Sequence, residues 1–362
     1  MRTGPCAVGI LLALAVGACG PTYSMTDDID LTWDFALTPR RFADNLHSPY
    51  VRGTLVTVFA SSSDSGEDLH GWTIESSDPG VFRIDAGELA STGHDLAIRG
   101  QAVAEGTATL TLRDRRGNAV GRGQAEVRLP DAVELDAHGS LILGRDDEAP
   151  VHEARVLAGG EATYLVRYFR GGHELHGNGV LSIETPDGVT GQARTTFVFE
   201  NREWLTLDAT TVGTGTLRLF ADGAAAATLP VVVVAETAIA DVVVLTQSEH
   251  GHHDGDWLAA LAQAYDASGE RIFGVEYAWN VGGAVQQADG DLYRYQFKAG
   301  RYEMVKAQRG AHADAAMIQS DGGFVDSTNH VGCAAGGGGG GLLVGLAALG
   351  LAMVRRGRGA DR

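Results

Sequence analysis

Cysteine is almost missing from this chain. Three occur in 362 residues, Cys6, Cys19 and Cys333, and the 313 residues between the last two hold none. That excludes a disulfide framework, a C-x-x-C redox motif and a cysteine nucleophile in the body of the protein. Aromatic residues make up only 7% and charged residues 20%, and long amphipathic helical patterns are nearly absent, which excludes a coiled coil. There is no succession of long apolar runs, so the chain is not a polytopic membrane protein. Positive charge is scarce too: 28 Lys and Arg stand against 46 Asp and Glu, a net charge of −18. What is abundant is glycine, at 50 residues, in a chain that is 44% apolar and long enough for two or three cores of ~100–150 residues each.

The N-terminus has the three-part layout of a secretory signal: Arg2, an apolar stretch from about Ala7 to Val16, then small residues before Cys19. The apolar stretch is too short to span a bilayer. The run Val16-Gly17-Ala18-Cys19 resembles the lipobox of bacterial lipoproteins. That resemblance implies a diacylglyceryl group on the Cys19 thiol, cleavage just before it, and Cys19 as the mature N-terminus. An ordinary cleaved signal with an incidental cysteine is the alternative. Gly20 is not the aspartate that favours inner-membrane retention in some lipoproteins, which leaves outer-membrane sorting open.

The other end is equally patterned. Gly332-Cys333 is followed by two alanines, six glycines, an apolar run from Leu342 to Val354, and the arginines 355, 356 and 358. From Ala334 to Val354 there are 21 uncharged residues, close to the ~20 of a spanning helix. The glycines weaken it as a permanent anchor, at roughly 1 kcal/mol of helix propensity each relative to alanine. The arginines place the extreme C-terminus in the cytoplasm. This layout resembles the C-terminal sorting domain of myxobacterial surface proteins. The resemblance implies cleavage by a membrane-embedded sorting protease near Gly332 and Cys333, with the thiol as the site of surface attachment. A simple C-terminal anchor is the alternative.

Arg2 and the tail's four arginines less Asp361 account for four positive charges, so the −18 of the whole chain becomes −22 for residues 20–333. A body this acidic argues against nucleic acid as a partner. Its segments read as short strands at two-residue periodicity between Gly, Asp, Asn and Pro turns, for example Leu55–Phe59, Thr107–Leu112 and Leu292–Phe297. Asp256–Tyr265 fits a helix as well as a strand. Repeats give the register. A strand that follows a glycine recurs at Gly106, Gly213 and Gly300, spaced by 107 and 87 residues. Each has a strand before it (95–99, 203–207, 291–297) and a final strand after it (124–129, 228–234, 313–318). In this register Trp257–Tyr265 becomes a strand matching Leu55–Ala60 and Tyr164–Phe169.

About seven short strands per ~100 residues is the expectation for an immunoglobulin-like sandwich. The run from Trp72 through Ser76-Ser77-Asp78-Pro79 to Phe82, with Gly106-Thr107-Ala108-Thr109-Leu110, resembles the bacterial Ig-like family of the group 2 type. Tyr265–Gly269 with Trp279 fits the earlier half of that pattern; the middle module departs, because Trp204 falls on a later strand. Trp72, Trp204 and Trp279 read as core fillers. The expected fold class is all-β, in tandem Ig-like sandwich modules with an N-terminal signal peptide and a C-terminal hydrophobic helix. The expected divisions are a signal at 1–18, modules at 19–130, 131–236 and 237–322, a linker with the sorting cysteine at 323–333, the hydrophobic helix at 334–354 and the basic tail at 355–362.

No motif names a reaction. His173-Glu174-Leu175-His176 spaces its histidines three apart, where a zinc-protease helix needs four, and the flanking glycines make it a hairpin. The hexaglycine opens no βαβ unit and carries no nucleotide-binding meaning. The densest polar cluster is the loop 249–256, whose His250, His252, His253, Asp254 and Asp256 read either as ligands for a divalent transition metal or as a solvated turn. Carboxylates near the junctions (Asp131, Asp136, Asp146, Asp147, Glu148) lack calcium-loop spacing. The sequence therefore describes a non-enzymatic lipoprotein of the outer membrane or cell surface, held by a lipid and a C-terminal helix and handled by lipoprotein-processing and sorting proteases. Its role is structural, adhesive or display, toward a surface protein or glycan. A metal- or small-ligand-binding protein using loop 249–256 is the alternative.

Overall fold

A computed structural model describes residues 23–27, 46, 48–62, 68–91, 95–137, 143, 150–179, 181–195, 203–247, 252–285 and 290–320. The expected signal peptide, linker, hydrophobic helix and basic tail lie outside the described residues. The alternation of apolar and polar residues dictates strands, and the strands pair into sheets that pack face to face. The first sandwich contains β1 (Tyr23–Asp27), β2 (Tyr50–Val51), β3 (Leu55–Ser62), β4 (Thr73–Ser76), β5 (Phe82–Ser91), β6 (Asp95–Ala102), β7 (Gly106–Arg113) and β8 (Ala119–Arg128). One sheet has the order β1-β3-β6-β5 and the other β2-β8-β7-β4. All pairs are antiparallel except β2 with β8, where Tyr50 lies opposite Val127.

The second sandwich repeats this order. It contains β9 (Ala132–Ala137), β10 (Ala154–Leu157), β11 (Glu161–Arg170), β12 (His173–Leu175), β13 (Leu181–Glu184), β14 (Val189–Thr195), β15 (Glu203–Ala209), β16 (Gly213–Ala221) and β17 (Ala224–Val234). One sheet is built on β11, which pairs with β9, β12 and β15, with β14 beyond β15; the other has the order β10-β17-β16-β13. Here β10 runs parallel to β17, from Ala154 opposite Val231 to Leu157 opposite Val234. A 3-10 turn at Glu236–Ala238 leads to the third sandwich. That sandwich contains β18 (Asp241–Thr246), β19 (Trp257–Tyr265), β20 (Arg271–Ile272), β21 (Ala278–Val281), β22 (Ala284–Val285), β23 (Leu292–Gln296), β24 (Tyr302–Arg309) and β25 (His312–Gln319). β19 lies between β18 and β23 and also pairs with β20, and the second sheet has the order β22-β21-β24-β25. The segment that fits either helix or strand is thus a strand, in the register of β3 and β11. Two facing sheets per unit, with a short strand closing parallel on the last strand in the first two units, make tandem Ig-like β-sandwiches.

Each sandwich has its own core. Val56, Val58, Trp72, Ile74, Phe82, Ile98, Leu110 and Val127 fill the first. The Ser76–Pro79 turn is held by its own side chains: Asp78 Oδ1 accepts from the Gly80 amide at 2.9 Å and Ser77 Oγ from the Thr109 amide at 2.9 Å. Side-chain oxygens accepting nearby main-chain amides in this way fix a tight turn on the surface beside the core. Trp279 fills the third core, and its Nε1 donates to the Gly290 carbonyl at 2.9 Å. Trp204 differs. It is buried, yet it alternates with Leu205 and Leu207, which face the second core, so its ring lies on the opposite side of β15.

The sandwiches are docked by shared backbone bonds. At the first junction the Val51 amide donates to His176 O at 2.9 Å and the His176 amide to Pro49 O at 2.8 Å, while Val51 completes the second core. Arg52 and Asp222 form an ion pair across it. Gly177 is required there: its φ is +104°, and a Cβ would collide with the Thr54 side chain. At the second junction the Leu157 amide donates to Phe273 O at 2.9 Å and the Phe273 amide to Arg155 O at 2.8 Å. Leu157 enters the third core, Phe273 packs edge-on against Tyr164 at 5.2 Å, and Arg155 pairs with Asp266. A Cβ at Gly160 would strike the Gly274 carbonyl.

Candidate functional site

Of the sequence-derived candidates, Cys19, Gly332, Cys333 and His250 lie outside the described residues. The remaining members of the histidine loop connect β18 to β19, and their carboxylates are engaged by the chain itself. Asp256 Oδ2 accepts from the His253 amide at 2.8 Å, and the Asp256 amide donates to His253 O at 2.9 Å, closing a tight turn. Asp254 Oδ2 meets Lys298 Nζ at 2.7 Å and its Oδ1 accepts from the Ala299 amide at 2.8 Å. The Lys298 ammonium, then the Ala299 amide, hold the Asp254 carboxyl below the usual carboxylate range. The Gly255 amide donates to Phe297 O, and the Phe297 amide to Asp256 O, so the loop is fastened to the end of β23. His252 lies against this turn with Nδ1 3.7 Å from Asp256 Oδ2, beyond hydrogen-bond reach. Among the described residues no three His, Cys, Asp or Glu side chains are gathered as a metal ligand set.

The His173–His176 segment is the hairpin its flanking glycines imply, with β12 pairing on β11. Glu174 joins Arg167 at 2.7 Å, and Arg167 reaches Asp136 at 3.2 Å. Burial raises the Asp136 carboxyl above its ordinary value, with Arg167 opposing.

One buried group had no counterpart in the sequence reading. Glu203, at the start of β15, is 5% exposed and accepts hydrogen bonds from the Tyr168 hydroxyl and, at 3.1 Å, from the Gly179 amide. Desolvation outweighs these donors and pushes its carboxyl up to about 7. Gly179 belongs to the loop that docks on the first sandwich: its neighbour Asn178 accepts from Thr54 Oγ1 at 2.8 Å. The buried carboxyl therefore sits behind the first junction. The signal for it was a lone acid opening an otherwise apolar strand, Glu203-Trp204-Leu205-Thr206-Leu207.

No family model matches the chain, and no curated protein matches its sequence. Among solved structures it is similar to the S-layer protein SbsC, at 15% identity and a TM-score of 0.32, over 75% of this chain and 36% of that one. It is also similar to the Escherichia coli adhesin FdeC, at 14% identity and a TM-score of 0.24, over 83% and 97% of the two chains. Invasin, a bacterial integrin-binding protein, matches at 14% identity and a TM-score of 0.23, over 83% and 60%. The chain thus spans about a third of the S-layer protein it matches. At these identities and TM-scores the likenesses add no function to the sheet order.

Proposed function

We propose that the protein is an exported component of the bacterial cell envelope, lipidated at Cys19 and processed near Gly332 and Cys333. Its three sandwiches form a stiff spacer with a structural, adhesive or display role. The observation that carries this reading is the docking of successive sandwiches. Val51 and Leu157 each complete the core of the next unit, and main-chain hydrogen bonds cross both junctions. A spacer needs its units held in fixed succession, because thermal bending at free linkers would shorten its reach. The anchoring half rests on Val16-Gly17-Ala18-Cys19 at one end and on Gly332-Cys333 before an apolar run and arginines at the other.

Mass spectrometry of the mature protein from its native cell tests the anchoring. The expected species begins at acylated Cys19 and lacks Arg362. Unmodified Cys19 within an uncut N-terminus removes the lipoprotein claim, and an intact C-terminus removes the sorting claim. Small-angle scattering tests the spacer: an elongated particle of fixed maximum dimension supports it, and a broad distribution of shapes overturns it.

A further inference from the structure

We infer that the outer face of the β24–β25 hairpin, around Tyr302, Met304 and Met317, is a contact surface for the phospholipid bilayer. Met304 and Met317 are direct cross-strand partners, and the next pair on that face joins Tyr302 to Gln319, whose side-chain amide donates to the Tyr302 hydroxyl at 3.0 Å. Yet Tyr302 is 62% exposed, Met317 52% and Met304 47%, an unusual clustering of large apolar groups on the open side of a sheet. The third pair on this face is Lys306 with Ala315. The hairpin's carboxylates, Glu303 and Asp314, alternate to the other side, where Arg301 and the Val244 amide engage them. A face with one cation and no carboxylate stands out on a body of net charge −22.

Aromatic, thioether and lysine side chains side by side suit the bilayer interface, where the phenol meets the headgroups and the ammonium meets phosphate. Placement agrees with this occupant. β25 ends at Gln319 beside Tyr302, and 12 residues separate Ser320 from Cys333, whose thiol the anchoring reading makes the site of surface attachment. Even fully extended they span at most ~43 Å. The inference rests on the anchoring reading above, because attachment at Cys333 must hold the chain at the membrane to bring this face to it.

The test uses the processed, lipidated protein from its native cell, reconstituted into vesicles of phosphatidylcholine with brominated acyl chains, which quench nearby tryptophan. Met317→Trp is compared with Val212→Trp on the second sandwich, each after subtraction of the parent signal. The expected result is that M317W emission falls to about half while V212W is unchanged, as for a side chain reaching the headgroup–acyl boundary. Adding Met304→Asp, a substitution at an exposed position, is expected to abolish that quenching. A chain that floats with the vesicles while M317W stays unquenched overturns the inference and leaves anchoring intact. A chain that does not float overturns both.

Discussion

The Tyr168 hydroxyl donates its hydrogen bond to Glu203 inside the second sandwich, and the Gly179 amide, from the loop that carries the first junction, donates to the same carboxyl. A carboxyl pushed up to about 7 from an ordinary 4.5 keeps a proton in the folded chain that the unfolded chain has released. The stabilising contribution is complete below about pH 4.5, declines as pH rises toward 7, and is gone above it. The swing is on the order of 3 kcal/mol, with buried Asp136 adding in the same direction. Urea midpoints at pH 5 and pH 8 should therefore differ in the wild type. The difference should shrink in Glu203→Gln, which keeps an acceptor for Tyr168 and cannot titrate. An unchanged pH dependence in that variant contradicts the assignment.

Gly160 faces the Gly274 carbonyl with no room for a side chain. Gly160→Ala should loosen the second junction at a cost of about 1–3 kcal/mol, seen as earlier melting of the third sandwich and a broader distribution of scattering shapes. Gly177→Val should do the same at the first junction, where both the left-handed backbone and Thr54 oppose it. Stable, uniformly elongated variants would show that the junctions tolerate side chains and are not tightly packed.

Trp279 is fully buried and its indole nitrogen is satisfied by Gly290 O. Trp279→Ala should cost about 3–5 kcal/mol through the cavity it leaves, and Trp279→Phe less. Because the first core shares no residue with the third, the melting of the first sandwich should change little in either variant. Simultaneous loss of both would indicate one cooperative unit.

The carboxylates of the histidine loop are bound by Lys298 and by main-chain amides. Replacing His250, His252 and His253 together with alanine should leave cell or partner binding intact. Zinc or nickel retained by the wild type in stoichiometric amount after dialysis, and lost in this variant, would revive the metal-binding reading.

How much of this was legible in the sequence depended on length and periodicity. Strands β7, β16 and β24 were found because a glycine followed by alternating residues recurs, and β3, β11 and β19 followed from the same register. The parallel strands β2 and β10 were not found: two and four residues are too short to show a period. Trp204 read as a core filler and is buried, but its parity on β15 places it on the face opposite Leu205 and Leu207, which the residue type alone does not show. For the loop at 252–256 the residue types were visible, whereas their partners at 297–299 are distant in sequence and invisible to spacing. Glu203 was hidden for the same reason, since its partners come from β11 and the loop after β12.

The parallel pairing of β10 with β17 has a mechanical consequence. These strands lie near opposite ends of the second sandwich's chain and run side by side from Ala154–Val231 to Leu157–Val234. Tension applied through a chain held at its two ends would slide them lengthwise, loading their rungs together, whereas peeling an antiparallel edge would break them one after another. The short strand β10, which also lends Ala154 and Val156 to the second core, is thus a latch loaded in shear against β17.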